Sequence, residues 1–457
     1  MSFEKMQVDR KCEEVEEIEV PDGGYGWIVT IAVFLYNFCT WGANAGYAIY
    51  LEHYLRYDTF PGGGRLDYAA VGGIAFGVGL LFAPFITWVS HRFGVHVSIA
   101  IGIVFQGTGL MLAAFSRKLW QIYLTQGVLI SFGLAFIFVP NISLLPQWFR
   151  RKRSLASGVA AGGSGLGGVI FNLGMQRIIE VKSVKWALIV QFIMCTCLSS
   201  IALTLTRTRR QAVFKKDNYK IKLFDKEVFS SPGAWLVCGW VSFTMLGYVI
   251  LLYSLSAFTT SLGYSPTQGS YVSCMISVGN IIGRPIVGYL ADMFGSITVG
   301  VVVHLVVAIF SWAMWIPCKN MATAIVFALI EGMLMGSIWV LLGSIVTRVV
   351  GLRKLDVTFG ALWIFVGIFS LPSPVIGIQL ASSVQNATAY VNTAIFSGFC
   401  YFGASSCLFL LRGYLVARDA ASDQDSLMDN DEVAVPVSFY SFSKGLITLR
   451  SSKKSLL

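Results

Sequence analysis

Twelve apolar segments of bilayer-spanning length follow one another along the chain. They lie at about 27–50, 68–90, 97–115, 120–146, 154–176, 186–206, 233–258, 270–291, 297–316, 321–347, 356–380 and 390–411. A hydrocarbon core offers no water to unpaired backbone groups, so segments of this length are predicted to be helices with their loops at the membrane faces. Composition points the same way: 55% of the 457 residues are hydrophobic and 13% charged, against roughly 25% charged in soluble domains. The 46 glycines suit close helix–helix contact in a bilayer. The expected fold class is an all-α membrane protein of twelve transmembrane helices, arranged as two six-helix bundles.

The longest loop, 207–232, carries eight Lys/Arg and divides the segments six and six. The predicted organisation is a disordered N-tail over 1–21, a bundle over 22–206, the basic loop 207–232, a second bundle over 233–415 and a disordered C-tail over 416–457. The halves repeat in parallel at an offset of 201 residues, which superposes Pro84 and Phe93-Gly94 on Pro285 and Phe294-Gly295. With both termini on the inner side, 25 of the 34 Lys/Arg fall inside and eight outside, so the positive-inside rule places both tails in the cytoplasm. Topology thereby accounts for the +10 net charge, and nucleic acid is not an expected partner. The nine cysteines sit mostly within apolar segments at no metal-ligand spacing, so neither a metal nor a cofactor is expected. The first apolar run follows an acidic tail and is long enough to span, unlike a cleavable signal peptide.

Arg284 is the one basic residue deep in an apolar segment, and the first half has Ala83 in the same register. A charge at that depth costs about 2.5–3.5 kcal/mol or more, so it needs a partner, water or a ligand. Two readings follow. Arg284 is a donor fork for an anionic or polyhydroxyl solute, or it binds neighbouring carbonyls and Asn280, one turn away on the same face. Pro285 frees a carbonyl in the preceding turn and favours a kink. Asn37, Asn44, Asn141 and Asn172 are further polar groups at membrane depth and are candidates to line a solute cavity. Glu331 is the carboxylate well inside a later segment and is the candidate proton-coupling group, while His304 reads as a packing residue. No nucleotide-binding G-x-x-x-x-G-K-[ST] run occurs, and neither do the common hydrolase motifs.

Two stretches flank this scheme. Pro21-Asp22-Gly23-Gly24-Tyr25-Gly26-Trp27 precedes the first segment, where Asp22 is placed to accept from free N–H groups at a helix start and Trp27 lies at interfacial depth. Trp148-Phe149-Arg150-Arg151-Lys152-Arg153-Ser154-Leu155-Ala156-Ser157-Gly158 opens the fifth segment and runs into Gly162, Gly163, Gly165, Gly167 and Gly168, a surface for close packing against a partner helix. Together, in register with twelve helices in two halves, they resemble the monocarboxylate transporter family of the major facilitator superfamily. The run Asn37-Phe-Cys-Thr-Trp41-Gly42-Ala-Asn44 looks most like its fungal branch, the yeast monocarboxylate transporter homologues.

The resemblance implies a substrate site between the halves, exposed alternately to each side. It also implies that Gly288-Tyr-Leu-Ala-Asp292-Met-Phe-Gly295 latches the cytoplasmic gate, with Asp292 receiving N–H groups from a neighbouring helix start. Departures are specific. The motifs have Tyr25 for Trp or Phe, Trp148 for Tyr and Ser154 for Pro. The lysine that lactate-type members carry in the first helix is here Ala45, and the aspartate one turn before the arginine is Asn280. The arginine and asparagine that open their fifth helix map onto Arg153 and Ser157. The proton- and carboxylate-handling set is therefore mostly neutral, and for the fungal branch the resemblance implies solutes other than monocarboxylates. The expected function is secondary-active transport of a small polar organic solute across a fungal plasma membrane, with the lipid bilayer, the solute and a proton co-substrate as partners. The alternatives are a monocarboxylate/proton symporter and a non-transporting nutrient sensor on the same scaffold.

Overall fold

The computed structural model describes residues 22–209, 230–351, 354–382, 388–421 and 443. The expected N-tail, residues 210–229 of the basic loop and nearly all of the expected C-tail lie outside them. Among the described residues, eleven helices are long and apolar enough to cross a membrane, and a bent pair makes a twelfth. In chain order these are α1 (Tyr25–Leu51), α2 (Leu66–Leu81 and Ala83–Phe93), α3 (Val95–Ala113), α4 (Leu119–Gln147), α5 (Arg153–Val181), α6 (Val184–Leu205), α7 (Pro232–Ser261), α8 (Thr267–Phe294), α9 (Ser296–Trp315), α10 (Met321–Val350), α11 (Val357–Leu380) and α12 (Val391–Asp419).

Local chemistry sets the ends. Ser265 and Gln268 cap α8 reciprocally, each side chain accepting from the other's backbone N–H. Asn320 accepts the Thr323 N–H at the start of α10. Gly94 and Gly295, 201 residues apart, both adopt positive φ (96° and 90°) between successive helices, which a side chain would disfavour. The sequence repeat is thus a repeat of corners.

The two members of the repeated proline pair differ in helix continuity. α8 continues as helix through Pro285, whereas α2 is bent by 51° at its break just before Pro84. The reason is packing: α8 lies backbone to backbone between α5 and α10. A Cβ added to Gly158 of α5 would collide with the Arg284 carbonyl, and one on Gly283 would collide with the Met333 backbone of α10. At its far end the chain stays helical to Ala421, beyond the predicted start of the C-tail. Arg418 explains this, donating to the last carbonyls of α10 at Val349 (3.0 Å) and Arg348 (3.1 Å).

Within each half the helices bundle tightly, α1 on α5, α3 on α4 and α6 in the first, α7 and α9 on α12 in the second. The halves meet along two seams, α5 against α8 and α2 against α11. A cavity lies between those seams.

Candidate functional site

The cavity has an empty volume of about 860 Å³, counting the part that is open to solvent. One wall is the α5–α8 seam, lined by Ser157, Ala160, Ala161 and Ser164 of α5 and by Ser277, Asn280 and Arg284 of α8. The α8 set falls at i, i+3 and i+7, one helical face. Small residues on α5 are required here, because a Cβ on Gly165 would stand 2.7 Å from the Ser277 carbonyl. Trp41, Phe76, Phe138 and Trp339 also line the cavity, and Asn37, Asn44 and Asn141 supply amides from α1 and α4. Ala45, which the resemblance aligns with the first-helix lysine of lactate-type members, also lines the cavity.

Arg284 is 3% exposed. Its Nη1 donates to the Ala161 carbonyl at 2.6 Å and to the Ser164 hydroxyl, both on α5. The other edge of the guanidinium, Nε and Nη2, lies against Gly336, where a Cβ would be 2.9 Å from each and 2.7 Å from Asn280 Oδ1. Gly336 sits in a tightened turn, Met335–Ser337, that interrupts α10. A larger residue there would displace the guanidinium. Arg284 Nε and the Oδ1 atoms of Asn280 and Asn141 are buried without hydrogen-bond partners. Such atoms cost about 1–3 kcal/mol each, more when charged, unless something fills them. They are the part of the wall that is chemically incomplete.

The other asparagines differ. Asn37 donates to the Ala160 carbonyl at 3.0 Å, pinning α1 to α5, while still lining the cavity. Asn172 is not among the cavity-lining residues. Its amide donates to Gly168 of its own helix at 2.6 Å, two turns beyond Ser164. Glu331 is 0% exposed and also outside the cavity. Its Oε1 faces the Ser311 hydroxyl of α9 at 3.5 Å, and Oε2 has no partner. His304 is satisfied, accepting from Trp240 Nε1 at 3.1 Å and meeting the Gly300 carbonyl through Nδ1 at 2.8 Å.

Below Arg284, towards the end where α8 finishes, Asp292 bridges the same seam. Its two carboxylate oxygens accept from the Ser154 N–H (3.0 Å) and the Leu155 N–H (2.8 Å), the free donors in the first turn of α5. The Ser154 hydroxyl continues the bridge to Ser344 of α10 at 2.8 Å. Asp22 accepts not from the start of α1, as its position in the sequence suggests, but from Arg150 N (2.6 Å) and Arg151 N (2.8 Å). Gly24, not Asp22, precedes α1, and no side chain caps that end. Trp27 packs edge-on against Phe149 at 5.1 Å and Tyr25 against Trp148 at 5.7 Å. Arg153 Nε donates to the Phe149 carbonyl at 3.1 Å. The two separated motifs are therefore one interlocked unit at the basic end of the first half. Gly23 has open space around it, whereas a Cβ on Gly26 would touch the Phe149 ring.

Sequence reasoning missed Ser164, Gly336, Trp41 and Trp339. Serines, glycines and tryptophans are ordinary in membrane helices, and only the unpaired arginine gave a reason to look for its acceptors.

At the far end from Asp292 the halves also approach. A Cβ on Gly73 of α2 would stand 2.7 Å from the Leu371 carbonyl of α11, and one on Gly72 would be 3.6 Å from the Tyr253 ring of α7. The halves thus touch on both sides of the cavity, through different residues.

The family profile of the Major Facilitator Superfamily matches residues 27–374. The chain is 59% identical over 431 residues to the Saccharomyces cerevisiae protein named "Probable transporter MCH2", covering 94% of this chain and 91% of that one. It is 30% identical to the "Uncharacterized transporter ESBP6" of the same yeast, over 87% of this chain and 60% of that one. It is 27% identical to the human "Monocarboxylate transporter 12", over 63% and 61% respectively. Twelve spans in two halves, a family match across most of the chain and that degree of identity make it a multi-pass membrane protein of the Major Facilitator Superfamily, related to the fungal monocarboxylate transporter homologues.

Proposed function

We propose that the protein is a secondary-active transporter that moves a small polar organic solute by alternating access, with Arg284 as the solute anchor. One observation carries this reading: among the described residues Arg284 is the one Asp, Glu, Lys or Arg lining the cavity between the halves, and its Nη1 donates to Ala161 and Ser164 of the opposite half. Rocking of α8 away from α5 withdraws those partners and leaves a buried cation that an anionic or hydroxylated solute satisfies. Asp292 closes one side of the cavity and the α2–α11 seam the other. The 25-to-eight distribution of basic residues supports a cytoplasmic location for both termini, and the plasma membrane is the membrane we assign.

The solute pathway differs from that of a simple lactate/proton symporter. Ala45 and Asn280 occupy the positions where a titrating lysine and a carboxylate would couple a proton to the arginine. Glu331 of α10 faces Ser311 of α9 rather than the cavity, so a proton taken up there would reach the solute only through movement of α10. Uptake of a labelled solute panel into vesicles holding the purified protein, with and without a proton gradient, tests this. Flux of at least one organic solute supports the reading. Binding of solutes with no flux of any would identify a sensor instead.

A further inference from the structure

The two walls of the cavity are chemically unlike each other. The α5–α8 wall is polar and carries one cation and no carboxylate. The rest of the lining carries an aromatic cluster that crosses between the halves, with the amides of Asn37, Asn44 and Asn141 beside it. Trp41 contacts Phe76 (4.8 Å between ring centroids), Phe138 (5.2 Å) and, nearly parallel at 25°, Trp339 (5.8 Å). Trp339 stacks in turn on Trp363 (6.2 Å, 15°), and Tyr248 of α7 stands edge-on to it at 6.1 Å. Trp363 is fully buried behind this layer, while Trp41 and Trp339 keep part of their surface exposed although they lie between the halves. That exposed surface faces the cavity they line.

A short hydroxy acid engages only the polar wall and leaves the aromatic one facing water. A solute with an apolar ring and no charge leaves Arg284 Nε unpaired. A cationic solute meets Arg284 with no carboxylate to offset it. The unpartnered Oδ1 atoms of Asn280 and Asn141 add a further demand, because as acceptors they need an O–H or N–H beside the anionic group.

We infer that the cavity takes an aromatic organic anion, its ring on the Trp41–Trp339 surface, its carboxylate on Arg284 and an adjacent hydroxyl or amino donor on the Asn280 and Asn141 carbonyl oxygens. This assignment rests on the transport reading for its biological meaning, but its chemistry is a binding claim and is tested as one. Aromatic contact adds specific geometry to area burial and is the element that separates this class from smaller acids.

The probes are 3-phenyllactate, lactate and 3-phenyllactamide, titrated calorimetrically into the purified full-length protein. The first pair shares its head group and differs by the ring; phenyllactamide keeps the ring and loses the charge. The expected result is phenyllactate binding at least ~10-fold tighter than either, through stacking and burial of the ring against lactate and through the charge-assisted bond to Arg284 against phenyllactamide. Trp339→Ala should narrow the phenyllactate-to-lactate ratio, and Trp339→Phe should retain most of it, which separates loss of the ring surface from misfolding. Equal binding of lactate and phenyllactate, equal binding of phenyllactamide and phenyllactate, or no binding of phenyllactate would each overturn the assignment, whatever other solute the protein carries. Phenyllactate binding without flux in vesicles would leave the site assignment standing and remove the transport reading.

Discussion

Arg284 of α8 donates from Nη1 to the carbonyl of Ala161 in α5, 2.6 Å away across the boundary between the two halves. The arginine is therefore tied to the half of the molecule that it does not belong to. Any motion that parts α5 from α8 must either break this bond or replace it, which in the proposed transport cycle would link solute capture to the change of access. Eight residues further along α8, roughly 12 Å at the helical rise, Asp292 makes the second tie to α5.

The Asp292 tie gives the first prediction. Ser154 is the second residue of α5, a position where proline is well tolerated, yet its N–H and hydroxyl hold Asp292, Ser344 and Ser296. Ser154→Pro should leave the fold intact and remove the hydroxyl contacts to Ser344 and Ser296 together with the N–H bond to the Asp292 carboxylate, the last alone about 1.5–3 kcal/mol, shifting the proposed gate towards its open form by roughly tenfold or more. The check is the labelling rate of a cysteine placed at Ser157 in a background lacking the native cysteines, with the reagent supplied from the basic end. Faster labelling is expected, and an unchanged rate would remove Asp292 from the gate.

Backbone contact between helices gives the second. Gly283→Ala places a methyl group into the Met333 backbone, an overpacking cost of about 1–3 kcal/mol. Gly174 of α5 has open space around it, so Gly174→Ala should be neutral or stabilising by up to about 1 kcal/mol. Thermal unfolding of the two purified variants should separate them, with only Gly283→Ala melting early. Equal melting temperatures would contradict the close-packed description of α8.

Much of this was legible in the chain. Twelve apolar runs gave twelve spans, most within a few residues, because length and hydropathy suffice when the solvent is a bilayer; the last helix runs on from the predicted 411 to Ala421. The repeated Phe-Gly corner marked Gly94 and Gly295. The site was only partly legible. Arg284, Asn280, Asn37, Asn44 and Asn141 do converge on one cavity, since buried polar groups are conspicuous against an apolar background. Asn172 belongs to the same class of residue but satisfies itself on Gly168, and no local pattern distinguishes the two behaviours. The partner of Asp22 lies 128 residues away at Arg150, a relation fixed by packing of α1 on α5 rather than by anything adjacent in sequence. The aromatic wall was invisible for a different reason: fourteen per cent of the chain is aromatic, so the few rings that line the cavity do not stand out.

The neutral neighbour of Arg284 gives a third prediction, in pH. Asn280→Asp puts a carboxylate beside the guanidinium, where both already flank Gly336. When ionised it pairs with Arg284 and competes with an anionic solute, so affinity near neutral pH should fall by about tenfold, the size of one charge-assisted contact. Protonation removes the competitor, so affinity should recover as pH falls, whereas the native protein should show no such recovery. Titrations of solute binding across pH decide it. A variant whose affinity follows the native protein at every pH would place the solute away from Arg284.

The most direct test is solute uptake by Arg284→Ala and Arg284→Lys in vesicles at matched protein density. A compact ammonium cannot reproduce the planar fork that reaches Ala161, Ser164 and a solute together. The native protein is expected to carry at least one organic anion, with both variants folded and inserted but reduced by roughly 10–100-fold, the loss of about 1.5–3 kcal/mol of charge-assisted binding. Native-level uptake of that anion by Arg284→Ala would contradict the role given to this arginine.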